Sequence, residues 1–248
     1  MLSCQLADGS SVEKSVGNDP TRVSLRKMDI VSVDLTPLKL LPRLEFLSVS
    51  YNPLHRINLQ PLLSCTNLKV LRLTGCSLDS IDLGPLQGLN KLEQLSVSFN
   101  NLVNLDLSPL SSCSNLGILT ITRNNLETID LTPLSLCTRL KTLNIGQNPL
   151  KSVDLAPLAG CENLLSLVLN RTQIQSIDLS PLKNLSKLKG LDLSNNRLKV
   201  VDLHPLNQCN EMYEVNLEDN PLEEVLVGTG FVCSSLKANT DAKFTELE

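Results

Sequence analysis

Eight cysteines, two histidines and 26 acidic residues are the side chains of this 248-residue chain that could do nucleophilic, metal-binding or acid–base work. Several of them recur in one small frame. The segment IDLTPLSLC, residues 129–137, holds an aspartate, a proline and a cysteine, and near-copies stand at 33–41 (VDLTPLKLL), 57–65 (INLQPLLSC), 153–161 (VDLAPLAGC) and 201–209 (VDLHPLNQC). A cysteine beside a carboxylate suggests a thiolate nucleophile or part of a metal site. The nucleophile needs a neighbouring base or cation to lower its pKa. Zinc needs Cys and His grouped a few residues apart. Here the cysteines at 65, 113, 137, 161, 209 and 233 are separated by multiples of 24, and His55 and His204 fall at unrelated places in the copies. Leu41, Leu89 and Leu185 fill the same place in other copies. A position that accepts Cys or Leu reads as a small buried apolar slot. Glycine-rich phosphate loops are absent from the sequence. The expectation is a protein without enzymatic activity, cofactor, metal or small-molecule substrate.

The elements that carry this frame are set by the same spacing. Leu44, Leu68, Leu92, Leu116, Leu140, Leu164, Leu188 and Met212 recur every 24 residues, and each unit reads LxxLxLxxNxLxxIDLxPLxxCxxL. Counted from Pro20, nine units run to Ser235. The ninth is degenerate, its Asp-Leu-x-Pro replaced by LVGTG, although Val225, Val227, Cys233 and Leu236 keep the register. Apolar positions 4 and 6 alternate with polar 3, 5 and 7, which predicts a short strand with one buried side. Position 17 is often Ser or Thr (Thr36, Ser108, Thr132, Ser180) and position 18 is Pro in eight units. That order predicts an N-cap followed by Pro at the first position of a single 3₁₀ turn. The aspartate at position 15 is placed to accept from backbone N–H groups nearby. With 42% hydrophobic residues but only six aromatics and no Trp, the core must be Leu, Ile and Val, as suits stacked layers.

This pattern resembles the leucine-rich repeat family, in its intracellular type with 24-residue units, over about nine-tenths of the chain. The resemblance implies an α/β fold. It would be a right-handed solenoid with a concave parallel sheet of about nine strands and short 3₁₀ turns on the convex side. It also implies a ladder in which the amides of Asn52, Asn100, Asn124, Asn148, Asn196 and Asn220 bond the backbone of adjacent turns, with interruptions at Met28, Cys76 and Thr172 that leave those turns less well tied. The organisation expected is an N-terminal cap over 1–19, repeats over 20–235 and a C-terminal cap or tail over 236–248. Asp8-Gly9 predicts a β-hairpin with a primed turn that covers the open edge of the first unit. Family members of this type include phosphatase regulators, ligase adaptors and cytoskeletal or ciliary scaffolds. The function implied is non-enzymatic protein–protein recognition. The alternative is the ligand-sensing region of a larger signalling protein.

The net charge of −4 misleads about the partner, because seven acids are the position-15 column (34, 82, 106, 130, 154, 178, 202). Without them nineteen acids face twenty-two bases. Specificity must lie at positions 3, 5, 7 and 8 of the units. The first unit offers Arg22, Arg26 and Lys27 there, and the next four offer Phe46, Tyr51, Val70, Arg72, Phe99, Ile118 and Arg123. Asn144, Gln147, Asn170 and Arg171 follow, then Asp192, Glu214, Glu218 and Asp219. Aromatic and Arg residues dominate protein interfaces, and a basic-to-acidic gradient orients a partner. The expected partner-binding residues are Phe46, Tyr51, Val70, Arg72, Phe99, Ile118, Arg123 and Arg171, and the expected partner is another protein. Nucleic acid is disfavoured because the bases gather at one end. No apolar run reaches the ~18 residues that span a bilayer, and MLSCQLADGSS lacks the charge and apolar core of a signal peptide. A cytoplasmic monomer without membrane insertion is therefore expected, with nuclear or cytoskeletal association as variants. Its cysteines other than Cys4 would be reduced and mostly buried, and its Asn170-Arg-Thr and Asn184-Leu-Ser sequons unused. Met1 and the final Leu247-Glu248 fit both a whole chain and a piece of a longer protein.

Overall fold

A computed structural model describes residues 1–16, 21–239 and 241–247. Pro20, the expected start of the first unit, lies outside the described residues, as do the last residues of the expected N-terminal cap and Glu248. The strands are β1 (Leu2–Leu6), β2 (Ser11–Lys14), β3 (Arg22–Ser24), β4 (Ile30–Val33), β5 (Phe46–Ser48), β6 (Val70–Arg72), β7 (Gln94–Ser96), β8 (Ile118–Thr120), β9 (Thr142–Asn144), β10 (Ser166–Val168), β11 (Gly190–Asp192), β12 (Val200–Asp202), β13 (Glu214–Asn216), β14 (Glu224–Gly228), β15 (Ser235–Lys237) and β16 (Lys243–Leu247).

The repeat length sets the main sheet. Strands β3, β5 to β11, β13 and β15 pair in that spatial order into ten parallel strands. From β3 to β13 the partners sit 24 residues apart, so Leu47 faces Leu71 and Leu71 faces Leu95. Each unit therefore lays its leucines on those of its neighbours. Leu44, Leu47, Val49, Leu54, Leu59 and Leu62 of one unit are all at most 4% exposed. Burial of this kind contributes roughly 2 kcal/mol per side chain, and in a solenoid it is available only from neighbouring layers.

The main sheet, expected to hold about nine strands, has ten among the described residues, because β15 follows the ninth unit and joins the sheet beyond β13. Val215 of β13 pairs with Leu236 of β15, an offset of 21 residues, so Leu236 occupies the strand centre rather than the start of a unit. Residues 243–247, expected to fold back over the last unit or fray, do fold back, as β16 paired along β14 of the ninth unit. It extends a second, three-stranded sheet in the order β12-β14-β16.

Among the described residues eight 3₁₀ turns lie between the strands, including Thr36–Leu40, Ser108–Ser112, Thr132–Leu136 and Ser180–Leu182. The expected capping is off by one residue. The cap is the Leu at position 16, without a side-chain hydrogen bond, and Pro stands second in the turn. Capping falls to position 15: one carboxylate oxygen of Asp34, Asp82, Asp106, Asp130, Asp154, Asp178 and Asp202 accepts the position-17 amide at 2.8–2.9 Å. Asn58 does the same with its side-chain oxygen at 3.0 Å. The hydroxyls of Ser108 and Ser180 donate to that same carboxylate instead of capping anything themselves.

Two ladders tie the layers. Asn52 Oδ1 accepts from the amides of Met28 and Ile30, and its Nδ2 donates to the carbonyls of Leu25 and Val49. Asn100 repeats the pattern two units on. At the interruptions other groups substitute in part. The Cys76 thiol donates to the Val49 carbonyl at 3.4 Å, the acceptor an Asn there would take, and the Thr172 hydroxyl donates to Leu169 O at 3.4 Å. The second ladder is the cysteine column. The thiols of Cys65, Cys113, Cys137, Cys161 and Cys209 donate to Leu carbonyls of the preceding unit at 3.5–3.7 Å. The column is thus more than an apolar slot.

The N-terminal hairpin forms, with a different turn. Gly9 is left-handed at φ +84° while Asp8 is not, and Gly9 N–H donates to Leu6 O while Leu6 N–H donates to Ser10 O. This is a three-residue loop ending in a glycine bulge rather than a two-residue primed turn. Strand β1 pairs antiparallel with β4. It covers the first unit beside the main sheet, and leaves β3 as that sheet's edge among the described strands.

Candidate functional site

Position 8 of each unit lies three residues past the strand, where the chain turns inward to position 9, the place of the ladder Asn in most units. From Lys27 to Asp219 all nine position-8 residues are left-handed, with φ between 51° and 65°. Eight of them are not glycine, and that conformation costs a bulky residue roughly 1 kcal/mol. The turn keeps its bonds nonetheless: Tyr51 N–H donates to Thr74 O, Phe99 N–H to Thr122 O and Arg171 N–H to Ser194 O. The result is a rim of side chains held outward along one edge of the sheet. Gly75 is the one glycine on this rim. A Cβ there would lie 2.9 Å from a Tyr51 ring carbon, so its absence lets the ring lie across the next unit.

The expected residues fall into two groups on opposite edges. On the position-3 edge the guanidinium of Arg22 stacks 3.6 Å from the Phe46 ring centre, and that of Arg72 lies 5.5 Å from it on the other side in the strand order. On the rim Arg26 sits 4.8 Å over Tyr51, with the Lys27 ammonium at 5.7 Å. Farther along the rim Arg123 sits 4.7 Å over Phe99 and donates to Gln147. Tyr51 and Phe99 remain 42% and 44% exposed. Val70 is half-buried beside Phe46. Ile118 lines a different depression of about 370 Å³ on the flank, with Lys69, Lys91, Arg139 and Lys141. Arg171 stands two units beyond Arg123 on the rim and joins neither group.

Between the edges lies a floor that the reading of the sequence passed over. Positions 5 and 7 of the first five units are Ser or Thr in all but Arg26 and Arg72. Thr74 and Thr120 hydroxyls both bond Ser96 Oγ, at 2.7 and 2.8 Å. Ser98 and Thr122 hydroxyls are buried without a protein partner. The signal was available, since small hydroxyl residues at two alternating positions leave the face flat and polar. The far end carries Asp192, Glu214, Glu218 and Asp219, with Lys237 of β15 paired to Glu214.

Burial pushes the thiols of Cys65, Cys76, Cys113, Cys161 and Cys209 up to about 11 and that of Cys137 to about 12, so they stay protonated at neutral pH. Cys4, expected outside the buried set, is also buried, and Cys233 is only partly so. The reason is that β1 alternates, turning Leu2 and Cys4 inward. Among the described residues no group of three His, Cys, Asp or Glu side chains is placed to hold a metal ion, and no helix is long and apolar enough to cross a membrane.

The sequence model of the leucine rich repeat family matches residues 42–102 and 162–222. No curated protein matches the chain. Among solved structures, an internalin (inlF) of Listeria monocytogenes is 25% identical over 85% of this chain and 69% of its own, with a TM-score of 0.61. Internalin C2 of the same organism is 36% identical over 67% of this chain and 66% of its own, at 0.53. The functional domain of InlJ from that organism, which includes a cysteine ladder, is 20% identical over 92% of this chain and 55% of its own, at 0.64. The chain thus spans less than two thirds of the latter two. Unit length, parallel sheet, asparagine ladder and these likenesses agree, and the chain belongs to the leucine-rich repeat family.

Proposed function

We propose that the chain is a non-enzymatic recognition module that binds another protein on the concave face of its N-terminal half. The observation that carries this is the pair of arginine–aromatic clusters flanking a hydroxyl floor, with Tyr51 and Phe99 held outward by left-handed backbone. Large rings and guanidiniums that are already positioned lose little freedom on binding and supply most of the energy of an interface. The fold itself commonly mediates protein–protein recognition. Of the residues expected at the interface, Phe46, Tyr51, Arg72, Phe99 and Arg123 form its centre, while Val70, Ile118 and Arg171 extend it. The partner docks on a monomer of this chain, without nucleic acid or membrane insertion, in a reducing, cytoplasmic setting. The thiol column, in which S–H groups donate to carbonyls, supports that setting. Parallel captures from native lysate test the reading, with wild type, Phe99→Asp and the convex variant Lys183→Asp as baits. A protein retained by wild type and Lys183→Asp and lost by Phe99→Asp supports it. One retained by Phe99→Asp and lost by Lys183→Asp contradicts it.

A further inference from the structure

Resting on the concave face as the recognition surface, we propose that the depression at its N-terminal end is a subsite for a phosphate ester on the partner, a phosphorylated side chain, gripped by Arg22 and Arg72 with Arg26 as a third donor. The depression measures about 470 Å³, and its polar lining consists of guanidiniums, hydroxyls and the Gln94 amide, with no carboxylate. Among the described residues none of the three arginines is in an ion pair. Arg72 bonds only the neutral Gln94 oxygen, at 3.2 Å.

Arg22 and Arg72 both face the Phe46 ring, at 3.6 and 5.5 Å from its centre, so their guanidinium carbons are at most about 9 Å apart. Two like charges that close repel, and an anion between them removes the repulsion. A guanidinium stacked on a ring spends its flat face there and keeps its N–H edge free for oxygen. A carboxylate offers two oxygens in one plane and a single charge. A phosphate ester offers three oxygens in separate directions and nearly two charges, which suits donors arriving from β3 and β6. The source is a protein rather than RNA for two reasons. The rings on which bases would stack already carry guanidiniums, and Asp192, Glu214, Glu218 and Asp219 on the same face repel an extended polyanion.

The test uses the full chain labelled with ¹⁵N-arginine and follows the Nε–H resonances. Inorganic phosphate should shift Arg22, Arg26 and Arg72 on one saturating isotherm, and acetate at equal ionic strength should not. N-acetyl-phosphoserine amide should bind at least as tightly as phosphate, and hexauridylate no more tightly than the phosphoserine amide. Arg72→Gln should weaken phosphate binding by at least about fivefold, whereas Arg139→Gln on the flank should leave it within about twofold. The proposal is overturned if these resonances move no more than that of Arg197, if Arg72→Gln has no effect, or if hexauridylate binds more tightly than the phosphoserine amide. Should phosphate fail to bind while Tyr51→Ala still weakens a captured partner, the subsite alone is lost and the recognition face stands.

Discussion

Asp130 shows what the repeated aspartate does. Its carboxylate accepts the Thr132 amide at 2.8 Å. The Thr132 hydroxyl first and that amide second hold its pKa below the ordinary value of 3.8. Asp34, Asp106 and Asp178 are lowered for the same two reasons. A depressed carboxylate contributes stability that is present above its unfolded pKa and lost as pH falls through the folded one. The melting temperature should therefore hold down to about pH 5 and fall below about pH 4, and replacing these four by Asn should flatten that fall. An unchanged acid slope in the fourfold variant would remove the capping role. Asp130→Ala should lower the melting temperature without weakening a partner, and the reverse outcome would make the column a binding site. The thiols give a second check at this scale. Native protein should label at one fast site, Cys233, and at eight in denaturant; more than about two fast sites would contradict the burial. The column was legible because Asp recurs where no charge partner does. Ser and Thr before Pro were misread as caps because sequence order does not show that the turn begins at position 17 itself.

At the scale of the element, the asparagine ladder is the device that converts a strand and a turn into a layer. Asn124 is 6% exposed and bonds Leu102 N–H, Val97 O and Ile121 O. Asn124→Ala leaves those backbone groups buried and unpaired, which should cost roughly 2 to 3 kcal/mol in a denaturant melt. A loss under about 0.5 kcal/mol would mean the layers are held by leucine packing alone. Strand, turn and ladder were legible from a 24-residue period that never slips before Met212. The tenth strand was not. Leu236 fits the period as a unit's first residue, yet the loss of the Pro turn shortens the ninth unit and carries Leu236 to the centre of β15. The hairpin's turn was missed because Asp-Gly suits both a primed turn and a glycine bulge, and the register of β1 on β2, with Gln5 opposite Ser11, takes the bulge.

Across the whole molecule the exposed face runs from Arg22, Arg26 and Lys27 to Glu218 and Asp219, while the core beneath it hardly changes from layer to layer. The sequence showed which residues share this face but not how they group. Side-chain reach, unlike strand register, depends on features such as the missing Cβ of Gly75. The proposed partner site is this face, near Tyr51 and Phe99. The direct measurement is calorimetric titration of the captured partner against Tyr51→Ala, Phe99→Ala and the convex variants Lys39→Ala and Lys183→Ala. Tyr51→Ala and Phe99→Ala should each cost about 2 kcal/mol of binding and the convex changes under about 0.5. Full affinity in Tyr51→Ala and Phe99→Ala, with loss in Lys39→Ala or Lys183→Ala, would contradict it.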